Sequence, residues 1–173
     1  MNAVIIPATG EDAAAIDTLV NSAYRGDSSK QGWTTEADLL DGGRTDADHI
    51  REIMQKPGTT LLKYVDNREI LACMELRQEG QKLYLGMLTV QPNLQGKGIG
   101  KELLKAAEAE ALRLKCKTIF MTVISARQEL IDWYIRHGYQ PTGETKPFTF
   151  NDPRFGQPRK KLEFVVLEKK VVS

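Results

Sequence analysis

The chain contains few cysteines and histidines, the residues that form disulfides and most structural zinc sites. Its 173 residues include two cysteines, Cys73 and Cys116, and two histidines, His49 and His137. Two distant cysteines in a chain without a recognisable signal sequence indicate reduced thiols, and the four residues lack the spacing of a zinc site. We therefore expect no structural metal and no disulfide, and a chain of this length needs neither in order to fold.

The sequence also lacks the features of membrane, secreted and nucleic-acid-binding proteins. No run approaches the roughly 18 apolar residues of a spanning helix, and the N-terminus has no basic segment followed by an apolar one. Lys and Arg number 24 against 23 Asp and Glu, so no excess charge would attract nucleic acid or an anionic membrane. The composition is that of a globular protein. We predict one cytoplasmic domain over residues 1–173 that binds neither nucleic acid nor membrane.

Apolar spacing and turn residues predict alternating strands and helices. Strands are expected over residues 2–6, 59–65, 69–78, 82–90, 118–123, 139–147 and 162–169, and helices over 10–24, 46–55, 98–114 and 127–137, with a short helix ending at Leu40. Thr9 and Thr45 are the expected N-caps of the helices over 10–24 and 46–55. Short turns join the central strands, and helices separate the later ones. The predicted fold is α/β, with a mixed sheet of about seven strands flanked by about four to five helices.

The most informative segment is a glycine-rich turn between a strand and a helix. Gly96, Gly98 and Gly100 follow the apolar strand that ends at Val90, and a helix begins directly after them. Glycine permits positive φ and close approach of a ligand, and the first N–H groups of a helix have no intrahelical acceptor. The turn therefore suits a phosphate or pyrophosphate, although a tight turn without a ligand has the same sequence features.

The spacing of the glycines excludes two common nucleotide-binding loops. A P-loop would need a glycine at position 95 and Ser or Thr at position 102, where the chain has Gln95 and Glu102. The dinucleotide-binding fingerprint has a wider spacing between its second and third glycines than this turn does. A nucleotide-binding or nucleic-acid-binding protein is accordingly disfavoured.

Residues 95–100, with the sequence Gln-Gly-Lys-Gly-Ile-Gly, resemble the pyrophosphate loop of the GNAT family of acyl-CoA-dependent N-acyltransferases. The preceding strand, Pro92 after it and the long helix also match the family pattern. A second match is residues 134–139, which resemble the family signature Tyr-x-x-x-Gly-Phe/Tyr. The resemblance covers most of the chain. It implies a GNAT-like fold that moves acetyl from acetyl-CoA to a primary amine in a ternary complex, with a small-molecule acceptor preferred. The alternative is a non-catalytic acyl-CoA-binding sensor or scaffold.

The resemblance also implies where coenzyme A would bind. Main-chain N–H groups of the loop would hold the pyrophosphate, and the backbone of the preceding strand would contact pantetheine where that strand bulges and parts from the next. The expected cofactor-binding residues are Leu88, Val90, Gln95, Gly96, Lys97, Gly98, Ile99, Gly100, Lys101 and Arg127. The two lysines could equally be solvated. Arg127 stands where many members have an Asn that contacts pantetheine, so this contact is open, and Ser125 could supply it instead.

Two residues are candidates for proton transfer. Tyr134 occupies the position of the family's general acid, and its phenol could protonate the departing thiolate, although it could also be a core aromatic residue. Glu75 is a carboxylate within an apolar strand and is the candidate general base, unless its side chain points outward as an ordinary exposed residue. His137 is expected to stabilise the carboxyl end of its helix rather than act as a base.

The first helices and their connection would form the acceptor site by resemblance. Trp33 could pack against the acceptor, Arg44 could bind a carboxylate, and Glu36 could attract a cationic amine. Because both signs of charge are present, the sequence does not decide the acceptor. The long connection over residues 148–161 could form a lid or a dimer contact, and a homodimer is left open.

Overall fold

The computed structural model describes residues 3–24, 40–41, 46–147, 157–158 and 163–171. The helices are α1 (Ala13–Tyr24), α2 (Ala47–Gln55), α3 (Ile99–Arg113) and α4 (Gln128–Arg136). The strands are β1 (Val4–Pro7), β2 (Leu40–Asp41), β3 (Thr59–Asp66), β4 (Glu69–Glu79), β5 (Lys82–Val90), β6 (Thr118–Ile124), β7 (Gln140–Pro147), β8 (Gln157–Pro158) and β9 (Glu163–Lys170). Short 3-10 turns at Gly10–Asp12 and Pro92–Leu94 precede α1 and the glycine-rich loop.

Seven strands form one mixed sheet in the order β1-β3-β4-β5-β6-β9-β7. The strands β3, β4 and β5 are joined by antiparallel hairpins, as the short turns between them predict. Strand β6 lies parallel to β5, and α3 provides the crossover that a parallel pair requires. The predicted mixed α/β sheet is confirmed.

Helices cover the sheet on both faces. Ala72, Met74 and Leu76 of β4 pack into a core with α3 and α4, whereas Cys73 packs into a second core with α1 and α2. This alternation follows from the period of two along a strand. The sheet therefore separates two hydrophobic cores, and neighbouring residues of β4 belong to different ones.

Two local predictions are wrong. Leu40 does not end a helix; it lies in β2, opposite Pro158 of β8, so a distant partner decides its conformation. The N-cap of α2 is Asp46 rather than Thr45, which lies outside the described residues. The Asp46 carboxylate accepts a hydrogen bond from the His49 N–H at 2.8 Å, and the helix begins one residue later than predicted.

Candidate active site

The site begins where β5 and β6 separate. These strands pair only between Lys82–Tyr84 and Thr118–Phe120, although β5 continues to Val90 and β6 to Ile124. On its other edge β5 carries a bulge, where Met87 has a φ of 52° and the pairing with β4 shifts. A bulge bends its strand and increases the local twist. The gap and the bulge expected by resemblance are both present.

A cavity of about 200 Å³ lies at this open end of the sheet. It joins the end of β5, the glycine-rich loop and one side of α4. Its lining residues are Leu88, Val90, Leu94, Gln95, Gly96, Gly98, Gly100, Lys101, Leu130, Trp133, Tyr134 and His137. Most of these side chains are apolar. Gln95 and Lys101 are the polar side chains near the loop, and Tyr134 and His137 are those on the α4 side. The cavity therefore suits a ligand with a slender arm and an anionic head.

Two glycines of the loop are required by backbone conformation. Gly96 has a φ of 86° and Gly98 a φ of 90°, and a Cβ atom added to either would meet no atom within 4 Å. Gly98 is the N-cap of α3, whose first hydrogen bond runs from the Glu102 N–H to the Gly98 carbonyl at 3.1 Å. The N–H groups just before Glu102 therefore have no intrahelical acceptor, and the space beside the two glycines is open to a ligand.

Gly100, unlike Gly96 and Gly98, is not required by a positive φ. It lies inside α3, and a Cβ atom there would approach Cζ2 of Trp133 to 3.1 Å. The glycine lets α4 pack against the start of α3, so it shapes the cavity instead of permitting a turn.

Gln95 anchors the loop to the strand before it. Its side-chain amide donates to the Val90 carbonyl at 3.1 Å while the residue also lines the cavity. Ile99 packs against the core, so any contact it makes with a ligand would use its main chain. Lys97 and Lys101 are exposed and form no ion pair within the described part of the chain; only Lys101 lines the cavity.

Tyr134 belongs both to the core and to the cavity. Its side chain is 5% exposed and lines the same cavity as Leu88 and Val90. Its ring packs edge-on against Trp133 at 5.1 Å and Tyr139 at 5.7 Å between centroids. The two interpretations of Tyr134 from the sequence, a general acid and a core aromatic residue, are therefore compatible.

Glu75 is buried on the opposite face of the sheet. It is 6% exposed and, by strand alternation, shares the face of Cys73 with α1 and α2. It pairs with Gly86, directly before the bulge at Met87. Tyr134 belongs to the core on the other face. The two residues therefore lie on opposite faces of the sheet, and Glu75 is not among the residues that line the cavity.

Sequence reasoning missed part of the cavity wall. Leu130, Trp133 and His137 line it together with Tyr134, at the spacing of one helix face. The helical period around Tyr134 was the signal that could have found them. His137 also ends α4, where its Nδ1 lies 2.7 Å from the Trp133 carbonyl. Because a carbonyl only accepts, Nδ1 carries the proton of this hydrogen bond.

The structure does not bring every predicted site residue together. Arg127 precedes α4 and is only 7% exposed, but it is not among the residues that line the cavity. The predicted acceptor residues Trp33, Glu36 and Arg44 lie outside the described residues. Within the described ranges, no three His, Cys, Asp or Glu residues are arranged to hold a metal ion. No helix in those ranges is long and apolar enough to cross a membrane.

Comparison with known proteins identifies the family. Residues 29–155 match the model of the acetyltransferase (GNAT) domain, which is more than half of the chain. The protein therefore belongs to the GNAT acetyltransferase family, and the predicted acyltransferase class and fold are confirmed.

Solved structures share the fold at low sequence identity. The ribosomal-protein-S18-alanine N-acetyltransferase from Escherichia coli is 12% identical, with a TM-score of 0.73 over 99% of this chain and 96% of that one. The ribosomal-protein-alanine N-acetyltransferase from Brucella melitensis is 19% identical, with a TM-score of 0.69 over 96% and 99%. An IAA acetyltransferase from Bacillus cereus ATCC 14579 is 14% identical, with a TM-score of 0.66 over 98% and 99%. The names of these proteins point to different acceptors, so the shared fold leaves the acceptor undecided.

Proposed function

We propose that this protein transfers an acetyl group from acetyl-CoA to the primary amine of a small molecule, by direct attack in a ternary complex. The observation that carries the proposal is the single cavity that joins the glycine-rich loop, the end of β5 and Tyr134. Anion-binding and proton-donating groups thus lie along one ligand path. The proposal keeps the amine acceptor that the family resemblance implies.

The residues present suit coenzyme A. N–H groups at the start of α3 and the open space beside Gly96 and Gly98 would receive the pyrophosphate, with Lys101 adding positive charge. The backbone of Leu88 and Val90, on the edge that β6 leaves, would contact the pantetheine arm. We also retain the proposed contacts of coenzyme A with Lys97, Ile99 and Arg127, although these residues are not among those that line the cavity.

The reaction requires two proton transfers and stabilisation of the negative charge that develops on the carbonyl oxygen. The amine nitrogen bonds to the thioester carbonyl carbon, and the carbon–sulfur bond breaks. The amine proton passes to the Glu75 carboxylate, which then releases it to solvent. The Tyr134 hydroxyl gives its proton to the departing thiolate and regains one from solvent. The Val90 N–H would stabilise the developing negative charge on the carbonyl oxygen.

The cysteines favour direct transfer over an acyl-enzyme. Cys73 and Cys116 are both buried. Burial raises the pKa of the Cys116 thiol, with the charge of Glu110 as a smaller cause. A protonated buried thiol is a poor nucleophile.

Calorimetric titration with acetyl-CoA tests the proposal. The wild-type protein should bind, and Gly98→Asp should not, because it places a carboxylate where the pyrophosphate would lie. Gly143→Asp is a matched control, since Gly143 has a φ of 87° and open space around its Cβ position but lies in β7. Equal binding by all three proteins would mean that the loop is not the coenzyme site.

A panel of small amines and peptides then tests transfer. Acetylation of small amines in preference to peptides would support the proposed acceptor class. Acetyl-CoA binding without transfer to any member would instead favour the sensor or scaffold.

A further inference from the structure

Arg77 connects two carboxylates on β4. Its Nη1 donates to Oε2 of Glu75 at 3.1 Å, and its Nε and Nη2 lie 2.9 Å from Oε2 of Glu79. Residues 75, 77 and 79 share one face of the strand because side chains alternate. Glu79 is the more exposed carboxylate, so it fixes the outer edge of the guanidinium while Nη1 reaches the buried Glu75.

The guanidinium rests on an aromatic ring. Its central carbon lies 4.6 Å from the centroid of Tyr84, the cross-strand neighbour of Arg77 on β5. Such stacking is favourable and orients the planar group. Arg77 is therefore held by a ring and by a carboxylate at its outer edge, independently of Glu75.

Gly86 makes room for this ring. A Cβ atom at Gly86 would lie 2.6 Å from Cε2 of Tyr84 and 2.7 Å from its hydroxyl oxygen. The phenol of Tyr84 therefore extends along β5 over Gly86, which is the cross-strand neighbour of Glu75. A side chain at position 86 would displace the ring on which Arg77 rests.

We propose that Arg77 is the positioning residue for Glu75, held in place by Tyr84 and Glu79. A buried carboxylate is costly unless it is paired, and a rigid guanidinium restricts its orientation more than a flexible ammonium would. The contact holds the carboxylate opposite Gly86, beside the bulge of β5. The inference rests on the proposed function, in which Glu75 receives the amine proton.

Kinetics of three variants test the positioning role. Arg77→Gln should lower kcat roughly 10- to 100-fold, the scale expected for a misplaced catalytic group, and leave the KM for acetyl-CoA nearly unchanged. Arg77→Lys should recover part of this loss, because it keeps the charge without the planar fork. Gly86→Ala should lower kcat in the same way although Arg77 and Glu75 remain. Arg113→Gln, which breaks an exposed ion pair with Glu110, is the matched control with unchanged kcat.

A crystal structure of Arg77→Gln provides a test that does not depend on activity. We expect the Glu75 carboxylate in a different rotamer. The same rotamer, or unchanged kcat in Arg77→Gln, would overturn the inference. Full activity of Glu75→Gln would instead remove the base from the proposed function, and a wild-type protein that acetylates no amine would refute that function as a whole. In both of those cases the crystal structure still decides whether Arg77 positions the carboxylate.

Discussion

The indole ring of Trp133 occupies the space that the missing side chain of Gly100 leaves. A Cβ atom at position 100 would lie 3.1 Å from Cζ2 and 3.2 Å from Cη2 of the ring. Trp133 lines the cavity and also contacts the rings of Tyr134 and His137. The third glycine of the loop thus determines how closely α4 approaches the cavity.

Gly100→Ala should destabilise the protein by about 1 kcal/mol. Alanine ordinarily favours a helix over glycine by roughly 0.5–1 kcal/mol, but overpacking against a ring costs roughly 1–3 kcal/mol. Urea unfolding measures the net effect, and calorimetry should show weaker acetyl-CoA binding because the ring moves.

Trp133→Phe supplies the control for this substitution, since phenylalanine lacks the two ring atoms that Cβ would meet. In the Trp133→Phe protein, Gly100→Ala should be neutral or stabilising. The wild type, the two single variants and the double variant together form a double-mutant cycle. If Gly100→Ala stabilises the wild-type protein, the contact between the added Cβ atom and Trp133 does not cost stability, and the prediction is wrong.

Tyr134→Phe should lower kcat roughly 100-fold, a typical contribution of a general acid, with little change in the KM for acetyl-CoA. Release of free thiol gives the rate. Tyr139→Phe is the matched control, because this neighbouring tyrosine is also buried but is not among the residues that line the cavity. Equal rates for the wild type and Tyr134→Phe would leave Tyr134 as a core residue only.

Glu75→Gln should lower kcat/KM strongly at neutral pH and less at high pH. An amine with a pKa of about 10.4 needs a base to release its proton at neutral pH, whereas its free form accumulates as the pH rises. A pH–rate profile measures the difference, with Glu69→Gln at the exposed start of β4 as control. A profile with unchanged shape would exclude Glu75 as the base.

Stability should fall as the pH rises above about 10, in part through Tyr139. Burial, with a smaller effect of the Glu108 charge, raises the pKa of Tyr139 above its ordinary value. The folded state therefore keeps the phenol protonated, while the unfolded chain loses the proton near pH 10. The stabilisation is present below that pH and is lost above it, by at most about 1.4 kcal/mol per pH unit.

Tyr139→Phe tests this dependence through urea unfolding at pH 8 and at pH 10.5. The variant should keep near wild-type stability at pH 8, because the Tyr139 hydroxyl has no hydrogen-bond partner in the described part of the chain. At the higher pH it should be the more stable protein. An equal loss in both proteins would assign the effect to other groups.

Most elements could be predicted because their signals are local. The helix predicted over residues 98–114 is Ile99–Arg113, and the one predicted over 127–137 is Gln128–Arg136. Their apolar stripes lie within the segments themselves, and the glycines that mark a helix end, Gly98 and Gly138, lie directly beside them. Leu40 was misassigned because its partner is Pro158, more than a hundred residues away, and no local pattern contains that pairing.

The family, the loop and Tyr134 could be predicted because they depend on residue types at fixed spacing. How these parts come together depends on the tertiary fold. Glu75 and Tyr134 lie on opposite faces of the sheet, and β5 parts from β6 beside the cavity that Tyr134 lines. Packing also determines two further contacts. Trp133 lies against Gly100, and the Tyr84 ring lies over Gly86 and beneath Arg77. Such contacts join segments that are distant in the chain or lie on different strands, so spacing along one element does not encode them.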